Sequence, residues 1–131
     1  MNDRDAIMLD IKPLSVNEAW QGKRFKTSKY AAYRKELVLR LPPIENFPEP
    51  PYSVYYEFGL SNPKSDFDNP IKPFQDALQE RYGFDDKHIV DARVKKIIVP
   101  KGKEYIRFSI RSVKREKTIQ EPSIMDRMFQ R

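Results

Sequence analysis

The run Ser65-Asp66-Phe67-Asp68-Asn69-Pro70-Ile71-Lys72, followed later by Phe84-Asp85-Asp86, holds the side chains best suited to chemistry. Asp66 and Asp68 are two positions apart, so an extended segment would aim both carboxylates to one side. Two such charges repel, and a cation between them relieves the repulsion. Oxygen ligands without Cys or His favour a hard ion, magnesium or manganese. Asp85 and Asp86 follow a helix that Asp66 and Asp68 precede, so the chain must return along it for either to join the pair. Neighbours in an extended chain point oppositely, so one of the two is expected to join, and spacing leaves open which. Lys72 falls in the first turn of that helix, where the dipole favours acidic side chains by about 0.3–1 kcal/mol. A lysine there is expected to serve the charge of Asp66, Asp68 or a phosphate, stabilising a transition state or orienting the attacking water. Each feature also has an ordinary reading, because aspartates cap helices and lysines coat them. Order and spacing together favour chemistry.

The elements that must position these residues can be read from periodicity. Ile7 to Ile11 alternates as a first strand, and Thr27 or Ser28 caps a helix whose stripe is Tyr30, Tyr33, Leu37 and Leu41. Pro42 and Pro43 stop it, and a proline-rich connection leads to a strand over Tyr52–Leu60. Asn69 as N-cap and Pro70 at the first helical position start a second helix, with Ile71, Phe74, Leu78 and Tyr82 inward and Gly83 at its end. Ile89 to Val99, with Val90, Ala92, Val94 and Ile98 on one face, and Glu104 to Val113 then alternate around Lys101-Gly102-Lys103. They are expected to pair as a C-terminal β-hairpin. The order β-α-β-α-β-β implies a single α/β (α+β) domain over residues 1–113, a mixed β-sheet with two main helices. Residues 114–131 form an extension, with Met125, Met128 and Phe129 on one helical face.

Composition narrows the partner. The net charge of +6 and sequence pI of about 9.5 point to a polyanion, nucleic acid or an anionic membrane surface. The absence of cysteine excludes disulfides, thiolate metal sites and cysteine nucleophiles. No apolar run approaches the roughly 18 residues of a membrane span, and no signal stretch opens the chain, so it is read as cytoplasmic. His88 is the single histidine, which excludes sites built from several imidazoles.

Taken in order, Asp66-Phe-Asp68-Asn69, Lys72, Asp76-Ala77-Leu78, Gly83-Phe84-Asp85-Asp86 and Val90-Asp91-Ala92-Arg93 resemble the core pattern of RusA-type Holliday junction resolvases. Pro13-Leu-Ser-Val-Asn17 and the basic loop before Tyr30 resemble that family's opening, and the likeness covers residues 7 to 112. The resemblance implies metal-binding aspartates at Asp66, Asp68 and Asp86, with Lys72 as the essential basic residue. It implies a magnesium-dependent endodeoxyribonuclease, with manganese able to substitute, that resolves branched DNA in recombination and repair by paired nicks. Two opposed nicks imply a homodimer with two sites about a two-fold axis. Metal-assisted hydrolysis would leave 5′-phosphate and 3′-hydroxyl ends without a covalent intermediate. Pro73, directly after Lys72, departs from the pattern, and so does the long extension.

For DNA contact, Lys23, Arg24, Lys26, Lys29, Arg34, Lys35 and Arg40 stand against Glu36 alone, with Phe25 and Tyr30 interleaved. Arg93, Lys95, Arg107 and Arg111 make a second ribbon at period two. Their contacts would read shape over sequence. Two other functions compete: a non-catalytic branched-DNA-binding protein, and a metal-dependent phosphohydrolase of small nucleotides.

Overall fold

The computed structural model describes residues 6–21 and 25–113. Lys23, Arg24 and the expected helical extension over 114–131 lie outside these. The elements are β1 (Ile7–Leu9), α1 (Val16–Ala19), β2 (Trp20–Gln21), β3 (Phe25–Lys26), α2 (Ser28–Arg40), β4 (Tyr52–Leu60), α3 (Ile71–Tyr82), β5 (Ile89–Ile98) and β6 (Tyr105–Ser112). A 3-10 turn, Asp86–His88, leads into β5. Apart from the short α1 and the two-residue β2–β3 pair, this is β-α-β-α-β-β in one α+β domain.

Local chemistry sets most boundaries. Thr27 caps α2 by accepting from the Tyr30 N–H, and Leu41 ends it one residue before the proline pair. Gly83 closes α3 at φ 72°, the left-handed value that suits a residue without Cβ. The start of α3 differs from expectation. Pro70, not Asn69, is the capping residue and no side chain caps the helix. The Ile71 N–H instead donates to the Asp68 carbonyl at 3.1 Å. Pro73 is therefore within the first turn, where an N–H would have no partner inside the helix, and its ring is fully buried.

The four-stranded sheet has the order β1-β6-β4-β5. Strands β5 and β6 are present, but the expected hairpin is not, because β4 lies between them. It pairs with β5 in parallel and with β6 antiparallel. The reason is burial: Val54, Tyr55, Tyr56, Glu57 and Phe58 are all buried, so β4 takes the centre and needs cover on both faces. A parallel neighbour requires a crossover of a dozen or so residues, which α3 supplies. Lys101-Gly102-Lys103 does turn, with Gly102 at φ 92° and the Lys103 N–H on the Pro100 carbonyl. The link from Val99 to Glu104 needs only to span two strand spacings, about 10 Å. Val90 and Ile98, expected on one face with Ala92 and Val94, are 63% and 48% exposed on the edge strand.

The core lies between this sheet and the two long helices. Phe74 of α3 makes edge-to-face contacts with Tyr56, Phe58 and Phe108, at centroid separations of 5.3, 5.7 and 5.4 Å. Ala77, Leu78 and Leu37 complete the seam. Phe47, from the proline-rich connection, stacks on Tyr82 and Phe84 and meets Tyr52, closing the other end. No helix among the described residues is long and apolar enough to cross a membrane. Because Phe74 touches three rings and is fully buried, Phe74→Ala should cost about 3–5 kcal/mol. Urea unfolding measures this, and a loss under about 1 kcal/mol would contradict the packing described.

Candidate functional site

Asp66 and Asp68 sit on a tight turn at the carboxyl end of β4, not on an extended segment. The Asn69 N–H donates to the Asp66 carbonyl at 3.2 Å, and the Asn69 carbonyl accepts from the Val16 N–H at 2.8 Å. On the other side, Lys96 of β5 donates its ammonium to the Ser65 carbonyl at 2.7 Å and the Pro63 carbonyl at 3.1 Å. The turn is thus anchored at both ends while its carboxylates face solvent. Both are exposed, and among the described residues neither side chain has a hydrogen bond or an ion pair. Ser65 and Asn69, which flank the pair, line a cleft of about 180 Å³ together with Lys12, Glu18, Ser61 and Glu104. Glu104 holds that wall by accepting from Ser61 Oγ at 2.7 Å and from the Gly102 N–H at 2.9 Å.

Asp85 and Asp86 have different jobs. Asp85 caps the 3-10 turn by accepting from the Lys87 N–H at 3.0 Å, and that bond, aided by the Lys87 charge, holds its carboxyl below the usual range. Asp86 turns back toward α3, where Gln75 Nε2 donates to its Oδ2 at 3.3 Å. Gln75 Oε1 in turn accepts from the Tyr56 hydroxyl at 3.0 Å. Burial, and then the nearby Asp86 charge, push the Tyr56 hydroxyl pKa well up, so it stays a donor. Gln75 is one turn, about 6 Å along the axis, from the first residue of α3, and shares a helix face with Ile71 and Lys72. The Asp86 side chain thus reaches back along α3 to Gln75, while its backbone stands just before β5, at the end of the parallel β4–β5 pair opposite the Asp66 and Asp68 turn.

Lys72 is explained without the aspartate turn. Its ammonium pairs with Asp76 one turn on, at 3.5 Å, and Asp76 also accepts from the Tyr30 hydroxyl at 3.0 Å. Burial and Asp76 together raise the Tyr30 pKa, and Arg34 links Tyr30 to Glu80. This chain of polar groups joins α2 to α3. The sequence reading noted Asp76 only as part of a pattern. It missed Lys96 altogether, although a lysine at an inward-alternating position of β5 was a usable signal.

The basic surfaces also separate. On α2, Lys29 pairs with Glu18 at 3.4 Å, Arg34 with Glu80 and Arg40 with Glu36 at 2.6 Å, so that helix carries less unanswered charge than its sequence suggests. Lys26 is in β3. Arg93, Lys95, Arg107 and Arg111 share the sheet face opposite the helices, with β4 between the two pairs. Arg93 and Lys95 are exposed, and the Arg93 guanidinium lies 5.9 Å from the Tyr55 ring centroid. Between the pairs sits Glu57, which accepts from the Tyr55 and Tyr105 hydroxyls and meets Arg107 at 3.7 Å. Gly59 belongs to this arrangement, because a Cβ there would collide with the Tyr105 ring.

A magnesium or manganese ion suits Asp66 and Asp68 in donor type and in their lack of partners. It does not find a third ligand as the residues stand. Among the described residues no three acidic or imidazole side chains converge on a point able to hold a metal. The expected meeting of Asp66, Asp68 and Asp86 is thus not drawn closed. The turn bends the first pair out of the extended geometry, and Asp86, ahead of β5, is engaged by Gln75 instead. No protein-family model matches the chain, and no curated protein matches it.

Burial alone would raise the Glu57 carboxyl, but the Tyr105 and Tyr55 hydroxyls and the charges of Arg107 and Lys95 outweigh it and hold it low. A depressed folded pKa contributes stability above the ordinary glutamate range, and this is lost as pH falls through the folded value. Thermal unfolding should show wild type losing more stability than Glu57→Gln as pH drops below about 4.3, the ordinary glutamate value. Parallel pH profiles would contradict the assignment.

Proposed function

We propose that this chain is a magnesium-dependent endodeoxyribonuclease that nicks branched DNA, four-way junctions among it, working in the cytoplasm as a homodimer. The observation that carries the proposal is the anchored turn with two exposed, unpartnered carboxylates. Two carboxylates with free oxygens on one anchored turn offer a hard divalent cation ready ligands. Asp66 and Asp68 would hold the ion, with Asp86, drawn back along α3, as the third carboxylate. A bound divalent ion supplies a more acidic water and charge neutralisation at a phosphate.

The chain's own residues do the rest. The anchors from Lys96 and Asn69 fix where the two carboxylates stand, so little reorganisation is needed when charge arrives. Lys72, more than half exposed beside Asp76, would swing its ammonium toward a phosphate oxygen while Asp76 keeps the bond from the Tyr30 hydroxyl. Arg93 and Lys95 offer backbone contacts that carry no sequence information. Lys23, Arg24, Lys26 and Lys29 are the further DNA contacts that this reading assigns.

One observation favours a second reading. The lack of a closed three-ligand group fits a non-catalytic protein that binds branched DNA through the same basic residues. Cleavage of a synthetic four-way junction separates the two. With magnesium, wild type should nick the junction in preference to plain duplex. Asp66→Asn and Asp68→Asn should each lower nicking by about 100-fold or more, a loss typical of removing a group that stabilises developing charge, with junction affinity retained. Binding without cleavage by wild type would establish the second reading.

A further inference from the structure

We infer that the outer edge of β5 is a dimerisation edge, pairing antiparallel with β5 of a second copy about a two-fold axis at Ala92. The sheet ends on this strand, whose ten residues make it the long edge, while the opposite edge, β1, has three. A long strand edge presents unpaired backbone donors and acceptors, which proteins commonly cover or pair. Val90, Asp91, Ala92, Arg93 and Lys95 are all exposed there, Val90 at 63%.

Geometry restricts how two copies can meet. A two-fold axis that joins two edges antiparallel stands perpendicular to the sheet and keeps its faces. Only residues of the same parity then lie opposite each other. Centred on Ala92, this places Asp91 against the partner's Arg93, and Arg93 against the partner's Asp91. Val90 meets the partner's Val94, and Lys95 meets the partner's Ile89. Asp91 and Arg93 answer each other on one face, and Val90 and Val94 meet on the other. Adjacent registers fail this test: centring on Asp91 sets Asp91 against itself, and centring on Arg93 sets Arg93 against itself. Centring on Val94 puts Arg93 against the partner's Lys95, centring on Val90 puts it against the partner's Lys87, and centring on Lys95 or Lys96 sets a lysine against itself. Like charges directly opposite are destabilising, whereas opposite charges and β-branched pairs stabilise.

Among the registers that overlap most of the strand only the one centred on Ala92 is self-complementary, which points to a second copy of this chain and not to an unrelated peptide. The contacts already made by these side chains lie toward β4, on the face opposite the helices. Asp91 accepts from Ser53 Oγ at 2.7 Å, and Arg93 leans over Tyr55. Both keep the charged groups pre-ordered. The inference deepens the paired-nicking reading by supplying the surface that joins two sites, but the strand alone carries it.

Single-cysteine variants test it, because the chain has no cysteine of its own. Under mild oxidation Ala92→Cys should form a covalent dimer at least tenfold faster than Val90→Cys or Val94→Cys alone. A mixture of the Val90→Cys and Val94→Cys proteins should again cross-link quickly. Light scattering should give wild type twice the chain mass. Asp91→Arg and Arg93→Asp should each weaken the dimer at least tenfold, and the two together should restore it. A monomeric wild type overturns the inference, as does a dimer in which position 92 cross-links no faster than position 94. These readouts use no cleavage. Junction nicking by a protein that fails them would sink the edge and leave the nuclease reading standing.

Discussion

Phe74 packed against Tyr56, Phe58 and Phe108 is the contact on which the remaining architecture depends, because it fixes α3 across the centre of the sheet. With α3 docked there, β4 and β5 are held as a parallel pair, since the helix is the crossover between them. The turn of Asp66 and Asp68 is then forced to the carboxyl end of β4, and Asp86 to the start of β5. The same docking brings Gln75 between Tyr56 and Asp86, so a hydrophobic contact decides where the acidic groups stand.

Charge is distributed unevenly over this frame. Acidic partners answer Lys29, Arg34 and Arg40 on α2, and Lys72 is answered by Asp76. Glu57 is enclosed by tyrosine hydroxyls and Arg107. Against that background Asp66 and Asp68 have no side-chain partner among the described residues, as is true of Asp10 and Glu45 elsewhere, but they alone of these stand two apart on one turn. The protein spends a lysine, Lys96, on anchoring the backbone beside them and not on neutralising them. Such an arrangement leaves negative charge available for a ligand at a defined place.

Local signals in the sequence carried well. The caps at Thr27 and Gly83, the stop before Pro42, the full extent of β4 and the aromatic stripe of α3 follow from nearest-neighbour chemistry. Pairing did not carry, because alternation in β5 and β6 says nothing about which strand lies between them. The strong apolar content of both faces of β4 was the clue that it belonged at the centre. In the site, the residues were legible but their company was not. Asp76 with Tyr30 and Lys96 with Ser65 are contacts between positions 46 and 31 apart in sequence, which no spacing rule reaches. Phe47 was hidden likewise in a proline-rich connection, yet it buttresses Phe84 just ahead of Asp85 and Asp86.

The central claim is that the turn at the end of β4 exists to hold a divalent cation. A crystal grown with manganese, read at the metal's anomalous edge, tests it directly. The account predicts one or two manganese peaks bonded to carboxylate oxygens of Asp66 and Asp68, with Asp86 drawn toward them. Crystals that bind no manganese at this turn, or bind it only at unrelated carboxylates, would contradict it.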